Sequence, residues 1–155
     1  MDGYIPSPRP RVAKQVELYE RSGGVEGTTL KELGVNTIPS KYHSLPVIIV
    51  TNIGHRTGAI RKTPLMKVVH DNSYVLVASL GGAPKNPLWY YNLLKTPEVT
   101  IRDNTKVHSM IAVEIVEERE RGRLWDIAVT AYPPYHDYQS KTDRLIPVFL
   151  ASRSS

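Results

Sequence analysis

The sequence predicts a mainly β protein: a small antiparallel barrel of six strands with helices packed on its outside. Three observations lead there. Apolar, β-branched runs of strand length recur from Leu45 to Leu150. Most are joined by tight turns rather than by regular strand–helix–strand units, which argues against a doubly wound nucleotide fold. The chain has 155 residues, one domain's worth, with no internal repeat and no second-domain linker.

The elements follow in order. Pro6, Pro8 and Pro10 keep the start extended. Arg11 to Ser22 forms a helix with Val12, Val16 and Tyr19 on one face, ended by Gly23-Gly24. Residues 23–41 read as a Gly- and Thr-rich loop. Residues 1–40 are therefore an N-terminal extension with one helix, and residues 41–155 the barrel domain. Leu45 to Ile53 holds the run Val47-Ile48-Ile49-Val50, a strand covered on both faces. After the turn Gly54-His55-Arg56-Thr57-Gly58, a second strand spans Ile60 to His70. Asp71-Asn72 turns into a third, Ser73 to Leu80, broken by Gly81-Gly82. Asn86-Pro87 then caps a helix through Leu94. Strand four covers Glu98 to Arg102 before an Asp103-Asn104 turn. In strand five, Val107, Ser109, Ile111, Val113 and Ile115 share one face, with Lys106, His108 and Glu114 opposite. A helix with an acidic start spans Glu117 to Ala131, carrying Leu124, Ile127, Ala128 and Ala131 at helical spacing. Pro133-Pro134 ends it, and a last strand fits Leu145 to Leu150.

Composition narrows the chemistry. No cysteine is present, so disulfides, thiolate metal sites and a cysteine nucleophile are excluded. His43, His55, His70, His108 and His136 are scattered without metal-ligand spacing, so no metal is expected. The net charge of +5 favours anionic partners. Nine tyrosines against one phenylalanine point to a pocket lined by rings with polar tips. No apolar run approaches the ~20 residues that span a bilayer. The first residues lack the apolar stretch of a secretion signal, so a cytoplasmic location is expected.

Three segments carry chemistry. In Gly54-His55-Arg56-Thr57-Gly58, two glycines allow a tight turn with free N–H groups, and Arg56 offers a fork matched to phosphate; the alternative is a solvated hairpin tip. Val77-Ala78-Ser79-Leu80-Gly81-Gly82 ends a strand in small residues beside a helix N-terminus, which suits a planar ligand. Tyr132-Pro133-Pro134-Tyr135-His136-Asp137-Tyr138-Gln139 reads as a rigid loop of three evenly spaced tyrosines. Its alternative is a set of amphipathic rings sealing a core edge. Asp143-Arg144 reads as a local ion pair or cap.

Taken together with Lys85-Asn86-Pro87-Leu88-Trp89-Tyr90-Tyr91-Asn92-Leu93, Thr142-Asp143-Arg144 and Ile146-Pro147, these segments resemble the deazaflavin-dependent nitroreductases of actinobacteria. The match runs from about Leu45 to Val148. The resemblance implies a split β-barrel similar to FMN-binding barrels and, as cofactor, coenzyme F420. It implies phosphate contacts from Arg56 and Thr57, with His55 where the family usually carries Arg or Lys. An imidazole loses its charge near neutral pH, so that grip would be pH-sensitive. Arg61, Lys62, Thr63, Pro64, Leu65 and Met66 would line the next stretch, with Arg61 and Lys62 near the acidic tail or phosphate. Val77, Ala78, Ser79 and Leu80 would meet the ring, and Leu88, Trp89, Tyr90, Tyr91 and Asn92 would close the other side. Tyr132, Tyr135 and Tyr138 match substrate-pocket tyrosines, with Tyr135 also touching cofactor. Met66 and Leu80 stand where a nitroimidazole-reducing relative carries Tyr and Lys, which makes the pocket more apolar.

The implied activity is hydride transfer from reduced F420 to a quinone-like or nitroaromatic acceptor, with Tyr132, Tyr138 and Ser79 as catalytic residues. The alternatives are an FMN-dependent enzyme on the same barrel, a deazaflavin carrier, or a nucleic-acid module. The last is disfavoured because the aromatics cluster with proline rather than lining a basic strand face. A monomer is expected. A peripheral contact with the inner face of the membrane is drawn from residues 9–22, where Arg9, Arg11 and Lys14 flank Val12 and Val16.

Overall fold

A computed structural model describes residues 3–35 and 37–153. Its elements are α1 (Pro10–Arg21), β1 (Val47–Ile53), β2 (Ile60–Met66), β3 (Val69–His70), β4 (Ser73–Val77), α2 (Leu88–Lys95), β5 (Glu98–Asp103), β6 (Lys106–Glu114), α3 (Glu118–Ala131), α4 (Pro134–Ser140) and β7 (Val148–Arg153). Seven strands pair antiparallel in the order β2-β1-β5-β6-β7-β4-β3.

The sequence predicts six strands; the seventh arises because Ile60 to His70 changes partner midway. Up to Lys67 this segment pairs with β1, and the Lys67 N–H still donates to Pro46 O. From Val68 it pairs with β4, where Val68 O accepts from Val75 N. The two edge strands are thus one continuous piece of chain, and the sheet curls into a half-barrel.

Strand alternation feeds two cores. The inner one takes Ile48 and Val50 from β1, Leu76 from β4, Val99 and Ile101 from β5, Met110 and Ala112 from β6, and Phe149 from β7, with Trp89 and Leu93 of α2 at one end. The outer one takes Val47, Ile49, Met66, Val75, Val77 and Val148, covered by α1, α3 and α4. β1 is therefore buried on both faces, as its uninterrupted apolar run requires. In β6 the β-branched face is the outer one: Val107 and Val113 are exposed, while Met110 and Ala112 fill the interior.

Other boundaries shift for local reasons. Pro134 sits in the first turn of α4, so the expected tyrosine loop is a helix; Pro tolerates that position because its missing N–H has no partner to lose. The last strand starts at Val148 and runs to Arg153, three residues later than expected at each end. α1 buries Val16 and Tyr19 in the outer core, and the Tyr19 hydroxyl donates to Val47 O and accepts from Asn104 N. The apolar face invoked for a lipid contact through residues 9–22 is therefore largely spent within the protein.

Candidate active site

The turn at 54–58 is closed by its own backbone. Gly54 N donates to Ala59 O at 2.7 Å and Gly58 N to Gly54 O at 2.9 Å, with Gly58 at φ 73°, where glycine carries no Cβ penalty. Thr57 Oγ1 accepts from Ala59 N, which leaves its O–H free to donate. Arg56 is exposed, and no hydrogen bond or ion pair engages its guanidinium among the described residues.

Helix α2 holds this turn in place. Asn92, buried, accepts at Oδ1 from His55 N (2.9 Å) and pairs with His55 Nδ1 (2.7 Å), while its Nδ2 donates to Asn52 Oδ1 (2.8 Å). The donation by Nδ2 fixes the amide's orientation. Oδ1 can only accept, so His55 donates to it from Nδ1. Lys95 Nζ donates to His55 O, and the Tyr91 ring lies 5.6 Å from the imidazole. Asn92 and Trp89 are buried in protein contacts, and Tyr90 donates to Glu114. Burial and that carboxylate push the Tyr90 hydroxyl up to about 12. Of the helix residues expected at the cofactor, Leu88 and Tyr91 are the ones with exposed side chains.

Strand alternation divides the next predicted group. Arg61, Thr63 and Leu65 share a face with buried Asn52, whose Nδ2 reaches Thr63 Oγ1 at 3.4 Å. Lys62, Pro64 and Met66 face the outer core. Lys62 forms an ion pair with Glu20 and sits 5.0 Å from the Tyr4 ring centroid, so its charge is already answered. Met66 packs in the same cluster as Val77, Tyr132 and Tyr135.

At the end of β4, Ala78 is buried in the inner core and Ser79 is buried beside it. Leu80, Gly81 and Gly82 follow with φ of 45°, 64° and 83°. Three successive left-handed residues, one of them leucine, need outside support. Arg144 supplies it: Nε donates to Ala83 O (2.8 Å), Nη1 to Asn86 Oδ1 (2.7 Å) and Ala78 O (3.2 Å), and Nη2 to Ser79 O (2.8 Å). Two expectations are corrected here. Asn86 does not cap α2, whose cap position is Pro87, because its carboxamide oxygen is taken by Arg144. Arg144 reaches across to the 78–86 segment, and among the described residues it makes no ion pair with Asp143. Its role is invisible in the sequence because its partners lie 58 to 66 positions away and are mostly carbonyls.

The tyrosines do meet. Ring centroids of Tyr132 and Tyr135 lie 5.0 Å apart, and each lies 6.1 Å from that of Tyr138. Tyr42, which the sequence reading passed over, adds an edge contact to Tyr132 at 5.5 Å. The Tyr132 and Tyr138 hydroxyls are 3.0 Å apart; one donates to the other, so one O–H proton is left for a third group. Burial raises the hydroxyl pKa of Tyr132 and Tyr135, so both stay protonated at neutral pH. Helix α4 seats directly on Gly82, where an added Cβ would come within 2.6 Å of Tyr138 O. The tyrosines thus meet the 79–82 segment through α4, and the 54–58 turn is fastened to α2, the helix that follows that segment in the chain. A free cation stands at one end and neutral phenols at the other. This arrangement fits a ligand with an anionic terminus and a flat ring.

Comparison with known proteins agrees in kind. Residues 11–153 match the family model described as F420H(2)-dependent quinone reductase. The chain is similar to the F420H(2)-dependent quinone reductase Rv1261c of Mycobacterium tuberculosis, with 34% identity over 110 residues, 70% of this chain and 74% of the relative. It is also similar to a solved F420-H2 dependent reductase, FDR-A, at 46% identity and TM-score 0.65, covering 69% of this chain and 94% of that one. A structure described as a domain-swapped dimer matches at 39% identity and TM-score 0.67, over 94% of this chain and 100% of its own.

Proposed function

The chain belongs to the F420H(2)-dependent quinone reductase family, and from that premise we propose that it passes a hydride from reduced coenzyme F420 to a quinone, and also to nitroaromatic rings. The family is one of oxidoreductases whose hydride donor is F420H(2). When bound, that cofactor supplies two electrons as a hydride, so the protein needs no nucleophile.

The chain's own residues bind, orient and exclude water. Arg56 and the Thr57 hydroxyl hold the anionic end on a turn kept rigid by Asn92. Leu88 and Tyr91, exposed on α2, lie along the cofactor's path. Ser79 and the backbone around it meet the ring. The Tyr132–Tyr138 pair orients the acceptor and offers its spare O–H to charge developing on the acceptor's oxygen. Met66, packed with the tyrosines, makes this end apolar, which favours a quinone over a polar nitroimidazole. Likeness to a domain-swapped dimer supports an oligomer in place of the expected monomer. No helix of the described residues is long and apolar enough to cross a membrane.

The observation that carries this reading is the pairing of an unengaged Arg56, on a turn fastened to α2, with a tyrosine cluster packed against the 79–82 segment. The test mixes purified protein with F420H(2) anaerobically and follows recovery of the oxidised cofactor's absorbance on adding menadione or a nitroimidazole. Oxidation with menadione, slowed about tenfold or more by Tyr132→Phe, is expected. Uptake of FMN with no response to F420 would sink the proposal.

A further inference from the structure

We infer that Arg144 is a positioning residue: it turns two backbone N–H groups, those of Ser79 and Leu80, toward the ligand by fixing the carbonyls behind them. The inference deepens the functional reading above and rests on it for the identity of the ligand.

The argument is stereochemical. In a trans peptide the C=O and N–H point in opposite directions, and no cis peptide occurs among the described residues. Arg144 draws in Ala78 O, whose peptide carries the Ser79 N–H, and Ser79 O, whose peptide carries the Leu80 N–H. Both N–H groups are therefore driven away from Arg144. Neither donates to any backbone or side-chain acceptor among the described residues, whereas neighbouring Ala78 N, Gly82 N and Ala83 N all do. Ser79 is in the right-handed region (φ −77°, ψ −38°) and Leu80 in the left-handed one. That succession makes adjacent N–H groups converge on one acceptor.

The clamp is also connected to the tyrosines. Gln139 of α4 donates from Nε2 to Arg144 O (2.8 Å) and accepts at Oε1 from Ile146 N (3.0 Å), so the backbone that carries Arg144 is fixed by the tyrosine helix. Arg144's partners are carbonyl and carboxamide oxygens, with no carboxylate among them. Its charge is not cancelled and adds to the pull of the two N–H dipoles on an electron-rich ring oxygen or nitrogen. Lysine cannot replace it, because a point ammonium lacks the fork that spans Ala78, Ser79, Ala83 and Asn86.

The test compares wild type, Arg144→Lys and Asn86→Ala. The second variant removes one of the clamp's acceptors without touching the guanidinium. Amide hydrogen exchange is read on the protein alone, and coenzyme F420 is then titrated while its dissociation constant and the position of its bound visible absorption band are recorded. Expected for Arg144→Lys are faster exchange confined to residues 79–83, a dissociation constant about tenfold or more higher, and an absorption band moved back toward that of free F420. Asn86→Ala should shift each readout the same way by less. Unchanged exchange at 79–83 overturns the inference. So does exchange that rises uniformly over the whole chain, which marks a merely structural arginine. Local loosening with unaltered affinity and band overturns the positioning role. Failure of the wild type to take up F420 refutes the functional reading instead, and the exchange pattern still reports separately on the clamp.

Discussion

Replacing Asn92 by alanine should unfasten the 54–58 turn from α2. The side chain makes two bonds to His55 and one to Asn52. Each is worth about 1 kcal/mol net. The His55 groups lie near the surface and recover water. Asn52 does not: it is 1% exposed, and its Oδ1 would lose the donor that satisfies it, at a further cost of about 1–3 kcal/mol. The total is about 4–6 kcal/mol. For a chain of this size that corresponds to a fall in Tm of roughly 8–24 °C. Urea unfolding followed by circular dichroism measures it. Amide hydrogen exchange separates the two ways in which Asn92 can matter. If Asn92 acts through the turn, Asn92→Ala weakens F420 about tenfold and speeds exchange at residues 54–58. If Asn92 touched the cofactor itself, affinity would fall with exchange at 54–58 unchanged. A stability loss for Asn92→Ala under about 1 kcal/mol would refute the reasoning, because it would mean that the three bonds are not made in solution.

Arg56 and Lys62 are both basic residues predicted at the cofactor's anionic end, and the structure separates them. Arg56→Met should weaken F420 about tenfold and leave stability within about 0.5 kcal/mol, whereas Lys62→Met should cost about 1 kcal/mol by leaving Glu20 with Arg102 as its one remaining cation, and should change affinity little; the reverse pattern in titration and unfolding would contradict this. Gly82→Ala should lose about 2 kcal/mol or more and disturb the Tyr138 environment, because φ is +83° and the new Cβ meets α4 backbone; a neutral result in thermal unfolding would count against the packing of α4 on this loop. Alkali should destabilise the fold through Tyr90. Its folded pKa lies above the unfolded value of about 10, so its stabilising contribution is whole below that pH and is lost as pH rises toward about 12. Tyr90→Phe should flatten that part of the stability–pH curve, and an unaltered slope would rule out Tyr90 as its source.

Legibility in the sequence followed the range of the interaction. Local signals were readable. Val47 to Val50 announced a strand buried on both faces, and it is. Gly23-Gly24 ended α1, and Asp71 and Asn104 take the left-handed conformation that turn residues tolerate. Signals that depend on a distant partner were not. Nothing between Ile60 and His70 marks where the chain leaves β1 for β4, because the run stays extended and the change is one of neighbour. Asn86 before a proline looks like a helix cap by every local rule, yet its oxygen is claimed by a side chain 58 residues away. The tyrosine segment was read correctly as a cluster and incorrectly as a loop. Tyr135 and Tyr138 come together at a spacing of three on α4, and Tyr132, at the end of α3, meets them across the bend between the two helices.

The same distinction explains how the candidate site is built. Residues that the sequence singled out by chemical type, such as Asn92, Trp89 and Lys62, turn out to be spent on protein partners. Asn92 holds the turn that carries Arg56 and Thr57, while Trp89 and Lys62 serve the core and the α1 contact; Arg56 and Thr57 keep unspent hydrogen-bonding capacity. A binding surface needs such unspent donors, and a stable fold needs every buried one satisfied. The two demands are met by neighbouring residues: Asn92 saturates itself to free the turn, and Arg144 saturates three carbonyls to leave the N–H groups on their far side unpaired. A motif records both kinds of residue alike. Only the partner of each hydrogen bond tells the holder from the group that is held out to the ligand.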